Sequence, residues 1–153
     1  MPNDPENWLF RTIVQEMPEA VIFADRTGVI RLWNSGAETM FGHSAAEAVG
    51  KTLDLIIPER LRPRHWDGYH KVIATGVSRY GRGELLATPA IRKDGRRISI
   101  EFSIALLKEE TGNVLGAAAI VRDVTARWEK EKARRQAEAQ AAAPKADQER
   151  GSG

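Results

Sequence analysis

The chain has 153 residues, 42% of them hydrophobic, and no cysteine. That is enough for one domain with its own core, and it excludes a disulfide framework, a thiolate metal site and a cysteine nucleophile. Residues 1–125 carry 16 basic and 16 acidic side chains and residues 126–153 carry 7 and 5, so the formal charge of +2 comes from the tail; a neutral body of this kind lacks the concentrated basic surface that nucleic acids require.

Asp4 followed by Pro5 opens a helix, because the carboxylate can accept from free N–H groups and proline tolerates the first turn. Phe10, Ile13, Val14 and Met17 then recur at helical spacing until Pro18. Ala20–Ala24 and Val29–Trp33 are short β-rich runs joined by the turn Asp25-Arg26-Thr27-Gly28, a hairpin. From Asn34 the pattern changes to short helical pieces punctuated by Gly42, Gly50 and Pro58. Arg62–Thr75 reads as one longer helix, with Pro63 near its start and Gly76 past its end. Trp66, either Tyr69 or His70, and Ile73 share one of its faces.

Gly81 and Gly83 relax the chain before a strand over Leu85–Ile91, which runs into the Asp94-Gly95 hairpin turn. The basic cluster Arg92 to Arg97 reads as that hairpin's solvated tip. Ile98, Ile100, Phe102, Ile104 and Leu106 alternate with polar or small residues, predicting a strand with one buried face. A turn over Glu110–Asn113 leads to a last strand, Leu115–Val121, whose Gly116 and Ala117–Ala119 leave room beside it. Ala126–Ala143 is rich in helix formers, and from Pro144 the composition predicts a disordered tail. The order of elements predicts an α+β domain with helices on one face of an antiparallel sheet. It divides the chain into an N-terminal flanking helix (1–18), a domain (19–125), a C-terminal helix (126–143) and a tail (144–153).

Catalytic patterns are missing. His43, His65 and His70 have no metal-ligand spacing, and Gly81-Arg82-Gly83 lacks the third glycine and following helix of a phosphate loop. The expectation is a protein that is not an enzyme and holds no metal. No apolar run approaches the roughly 20 residues that cross a bilayer, and the polar start has no signal-peptide pattern, so a cytoplasmic protein away from membranes is expected.

Several segments together carry a likeness to a known family. They are Ile30-Arg31-Leu32-Trp33-Asn34, Ala37-Glu38 with Phe41-Gly42, Glu47-Ala48-Val49-Gly50, and Ile56-Ile57-Pro58. Arg92-Lys93-Asp94-Gly95 and Val121-Arg122-Asp123-Val124-Thr125 follow. In this order and spacing, over residues 8–127, the chain resembles the PAS family of sensory modules. The resemblance implies a five-stranded antiparallel sheet cradling a pocket under the long helix. It also implies a sensing role in which flanking helices carry a change of state onward. Asp123 and Thr125 match the motif where such domains hand over to an output helix; locally, Thr125 can cap that helix and Asp123 adds charge at its positive end.

Within the family, flavin-binding light sensors use a reactive cysteine, which this chain lacks. Haem-binding oxygen sensors are closer. They share the segments Asp67-Gly68-Tyr69, Ala74-Thr75-Gly76 and Arg92-Lys93-Asp94-Gly95. Their axial histidine, three residues before the tyrosine, falls on Trp66, and their haem-lining basic residues fall on Val72, Tyr80 and Leu86. No cofactor is therefore expected; the alternative is haem held through His70 or His65. Trp66 either fills the space a cofactor would take or walls a small-molecule pocket with Tyr69, Ile73, Leu86, Ile100, Phe102 and Ala119.

The expected function is sensing and signal transduction by ligand-dependent or partner-dependent protein–protein contact. Its rivals are a haem-based gas sensor and a structural dimerisation module with a collapsed pocket. The partner is a second copy or another protein, with or without a small ligand. Phe10, Ile13, Val14 and Met17 are the expected dimer contact, because the C-terminal helix offers only alanines after Val124 and Trp128. No output domain follows in the sequence, so the chain either acts in trans or is part of a longer protein.

Overall fold

The computed structural model describes residues 4–78 and 84–143. The Gly81–Gly83 turn, Tyr80 and the tail from Pro144 lie outside the described residues. In chain order the elements are α1 (Pro5–Glu16), β1 (Ala20–Asp25), β2 (Ile30–Trp33), α2 (Ser35–Phe41), α3 (Ala45–Ala48) and two 3-10 turns (Leu53–Leu55 and Glu59–Leu61). There follow α4 (Arg62–Thr75), β3 (Leu86–Ile91), β4 (Arg97–Lys108), β5 (Val114–Asp123) and α5 (Thr125–Ala142). The five strands form one antiparallel sheet in the order β2-β1-β5-β4-β3. This is the expected α+β architecture, with strand ends displaced by one or two residues.

Proline and glycine set the helix ends as their chemistry requires. Asp4 accepts the N–H of Glu6 at 3.1 Å, with Pro5 in the first turn of α1. At the end of α4, Gly76 adopts φ +68° and returns its N–H to the Val72 carbonyl at 2.8 Å. The core lies between the sheet's inner face and the short helices. Ala20, Ile22, Ile30, Ile98, Ile100 and Val121 pack against Ala37, Phe41, Ala48 and Ile56. Helix α2 sits on β1 and α3 on β2, so the cover is concentrated at one side of the sheet.

That placement corrects the expectation for β4. Ile98 and Ile100 are 4% and 5% exposed, Phe102 and Leu106 are half-buried, and Ile104 is 37% exposed. Alternation assigns a face, not a depth. Ile104 and Leu106 pair with Ala119 and Ala117, whose short side chains build little height, while α2 and α3 cover the β1–β2 side.

Two smaller expectations change as well. The Arg92–Gly95 tip is not merely solvated: Arg92 donates to the Met40 carbonyl at 2.5 Å, the Lys93 N–H donates to Phe41 at 2.8 Å, and Lys93 Nζ pairs with Glu47 at 2.7 Å. The space beside β5 is also taken at one point. A Cβ on Gly116 would stand 2.1 Å from the Ala24 carbonyl and 2.8 Å from the Phe23 ring.

Candidate functional site

Helix α4 meets the rest of the fold through an aromatic face. Trp66, Tyr69 and Ile73 follow one another at spacings of three and four, so one side of the helix carries all three. Ile73 is buried, and Trp66 and Tyr69 are half-buried. Between the two candidates left by the sequence, Tyr69 is the inward residue and His70 is exposed.

The polar ends of these aromatics are bound to the hairpin side of the domain. Trp66 Nε1 donates to Asp54 Oδ1 at 2.7 Å. The Tyr69 hydroxyl donates to the Asp25 carbonyl at 2.5 Å, with the Ala24 carbonyl at 3.2 Å. Burial, and then the Asp25 carboxylate, push the Tyr69 phenol up to about 12, which keeps it a proton donor at neutral pH. Gly28, at φ +83°, lies directly under the Trp66 indole; a Cβ there would come within 2.2 Å of the ring.

Asp25 holds the turn on which α4 rests. Its carboxylate accepts from the Thr27 hydroxyl at 2.7 Å and N–H at 2.9 Å, the Val29 N–H at 3.1 Å and Arg31 Nε at 2.8 Å. Burial alone would raise this carboxyl, but the hydrogen bonds outweigh it and hold the group at about 2.

His65, one residue before Trp66, lies among the rings. It stacks on Tyr69 at 5.8 Å and stands edge-on to Trp66 at 4.8 Å between centroids. Its Nδ1 is buried without a hydrogen-bond partner. His70 stacks on the Trp66 ring at 5.8 Å.

A second set of contacts ties the flanking helices to the domain. Asn34, 1% exposed, follows β2 and caps α2 by accepting the Ala37 N–H at 3.0 Å. Its Oδ1 also accepts the Val21 N–H at 2.8 Å. Its Nδ2 donates to the carbonyls of Val14 at 2.9 Å, Glu19 at 3.0 Å and Met17 at 3.3 Å. The end of α1 is thereby clamped, and Val14 turns half-buried toward the body. Phe10, Ile13 and Met17 stay 59%, 46% and 40% exposed, joined by Trp8 and Leu9 at 65% and 47%. Sequence reasoning passed over Trp8, Leu9 and the clamp; the available signal was an asparagine between a strand and a short helix.

At the other end the expected cap is replaced. Val124, not Thr125, occupies the position before α5 and offers no side-chain bond. The Thr125 hydroxyl accepts the Ser99 N–H of β4 at 2.9 Å and donates to Asp123 Oδ1 at 2.5 Å; Asp123 also accepts the Thr125 N–H at 2.9 Å. Arg127 pairs with Glu101, so the first turn of α5 is bolted to β4. The rest of α5 is exposed.

The profile of the PAS fold matches residues 14–129. The chain belongs to the PAS family. Sensor protein FixL of Bradyrhizobium diazoefficiens is 31% identical over 115 residues, 75% of this chain and 22% of FixL. Oxygen sensor protein DosP of Escherichia coli K12 is 28% identical over 123 residues, 80% of this chain and 15% of DosP. This chain thus spans about a fifth of each relative or less. The solved PAS domain from Colwellia psychrerythraea superposes with a TM-score of 0.65 at 21% identity, covering 80% of this chain and 98% of that one. An RNA-binding light-oxygen-voltage receptor superposes at 0.69 and 21% identity, covering 88% and 37%. PAS domains are generally sensory, non-catalytic modules, and among the described residues no helix is long and apolar enough to cross a membrane.

Within this PAS domain the expected pocket residues fall into two groups. Ile100 belongs to the main core, Phe102 and Ala119 pack against it, and half-buried Leu86 pairs with Phe102 across β3 and β4. Trp66 and Tyr69 instead lean on the β1–β2 turn and the first 3-10 turn. Of the two histidines beside Trp66, half-buried His65 touches the rings of Trp66 and Tyr69, and His70, exposed, stacks on the indole. Of the positions aligned with haem-lining basic residues, Val72 and Leu86 are half-buried and apolar; Tyr80 lies outside the described residues. Among the described residues, no cluster of three or more His, Asp or Glu side chains is placed to hold a metal ion.

Proposed function

We propose that this PAS domain is a non-catalytic sensory module that signals by pairing with a second copy of itself through α1. The observation that carries this reading is an apolar stripe held rigid yet uncovered. Leu9, Phe10, Ile13 and Met17 fall within about 100° of arc on the helix. Asn34 fixes the end of α1 to the body, so the stripe does not fold back on its own sheet. At these exposures, with Trp8, it leaves on the order of 500 Å² of apolar side chain in water, most of the about 800 Å² per partner of a stable interface.

In this reading residues 19–125 form the sensing unit, in the cytoplasm, and act without nucleic acid or haem. A small ligand, where one is used, lies between Trp66, Tyr69 and Ile73 of α4 and Leu86, Ile100, Phe102 and Ala119 of the sheet. Asp123 and Thr125 pass the change to α5 through β4, supported by the Ser99–Thr125 bond. Light scattering on the full chain tests the pairing. The wild type and Trp128→Ala should be dimers, and Phe10→Lys/Ile13→Lys should be a monomer with an unchanged circular dichroism spectrum. A dimer that survives the α1 changes and dissolves in Trp128→Ala, or a wild type monomeric at ~100 μM, overturns it; a standard interface of about 1,600 Å² holds at micromolar concentrations or below, and ~100 μM leaves room for a smaller one. A visible spectrum with a stoichiometric Soret band would refute the haem-free reading.

A further inference from the structure

We propose that His65 is an acid-sensitive latch: protonation of its ring releases the N-terminal half of α4 from the β1–β2 turn. The inference stands apart from pairing through α1 and rests on how the ring is housed. His65 is packed between Trp66 and Tyr69, the two side chains that dock α4, and its Nδ1 is buried with no partner. A neutral imidazole tolerates this, because one ring nitrogen carries no proton. An imidazolium has an N–H at both nitrogens, and the one at Nδ1 has no acceptor, so the charged form carries an unmet donor in a dry position.

The surrounding charges do not rescue it. Asp54, on the first 3-10 turn, is the carboxylate that acts on the ring, but it already accepts Trp66 Nε1 and has Arg62 at 3.8 Å. Arg62 and Arg64 sit in the first turn of α4, which has no acidic residue and no side-chain cap, so the helix's positive end disfavours another cation. His70, one turn on, adds repulsion when protonated. Glu59 and Arg60 of the second 3-10 turn cancel each other in charge, and the Asp25 carboxylate is occupied by Thr27, Val29 and Arg31. Stacking of a cation on Tyr69 and Trp66 and the pull of Asp54 favour the charged form. Burial outweighs them and sets the ring below its ordinary value, with His70 adding to the depression.

The sign follows from that direction. The docked form binds a proton less readily than the released form, whose histidine titrates near ~6.5. Docking is therefore strongest above that pH and weakens as the pH falls below it. One unit lower, a released histidine is mostly charged, and the opening of α4 is favoured up to about tenfold more than at neutral pH.

Hydrogen exchange on the full chain reads this directly. Between pH 7.5 and 5.5, protection factors in α4 should fall up to about tenfold relative to those of β4 and β5. His65→Phe keeps a stacked ring that cannot charge and should abolish the fall, whereas His70→Phe should retain it. If the His65→Phe variant does not fold, the ring titration of His65 in the wild type, followed by nuclear magnetic resonance, decides alone. A midpoint at or above 6.5, or an acid fall that persists in a folded His65→Phe, overturns the proposal.

Discussion

Replacing Asn34 by alanine tests how the flanking helix is held. The change removes the cap of α2, a loss of about 1 kcal/mol. It also strips the Val21 N–H and the carbonyls of Val14, Met17 and Glu19 of a partner. A buried polar group left unsatisfied costs about 1–3 kcal/mol, but the bonds to the three carbonyls are only part-buried, and water can serve part of the loss. The expected cost is about 3–4 kcal/mol, a large share of the 5–15 kcal/mol available to a domain. Urea unfolding followed by circular dichroism measures it. Asn34→Ser keeps a cap but cannot reach α1, and should recover about 1 kcal/mol. In both variants limited proteolysis should cut near residues 14–19 sooner than in the wild type. A cost below about 1 kcal/mol for Asn34→Ala, or a serine variant as stable as the wild type, would refute the clamp.

Along β4, Ile98→Ala should cost about 2–5 kcal/mol and Ile104→Ala about 1 kcal/mol or less, because only the first leaves a cavity; equal losses in thermal or urea unfolding would contradict the burial gradient. Gly28→Ala should destabilise more than Gly50→Ala. Both residues have positive φ, but a Cβ at position 28 strikes the Trp66 ring while Gly50 faces open space. In a Trp66→Ala background the two alanine changes should cost about the same, and a double-mutant cycle on chemical unfolding checks this.

Much of the architecture was legible because its signals are local. Pro63 and Gly76 bracket α4 as expected, and Asp94-Gly95 marks the β3–β4 hairpin. What escaped depends on distant partners. Asn34 reads as a cap for the helix that follows, yet most of its bonds run back to residues 14–21. Thr125 reads as a cap for α5, yet its hydroxyl serves Ser99 on β4. Ile104 carries the right periodicity, but its exposure depends on where α2 and α3 lie. Trp66 was legible as a large aromatic on an inward face; its direction toward Gly28 and Asp54 was not, since neither is a helical neighbour.

The sheet order also bears on how the chain is made. β1 sits between β2 and β5, and Ala20 pairs with Val121. Synthesis from the N-terminus delivers β1, β2 and the covering helices long before β5, while β3, β4 and β5 are a local meander. Ile22, Ile30, Trp33 and Phe41 must therefore wait beside a two-stranded ribbon, which is marginal alone. Closure is a late, long-range event, of the kind that slows folding and lengthens exposure to aggregation. A nascent chain halted before Val114 is expected to occupy a chaperone rather than to form a smaller domain, and release of the next ten residues is the step that commits it to the native sheet.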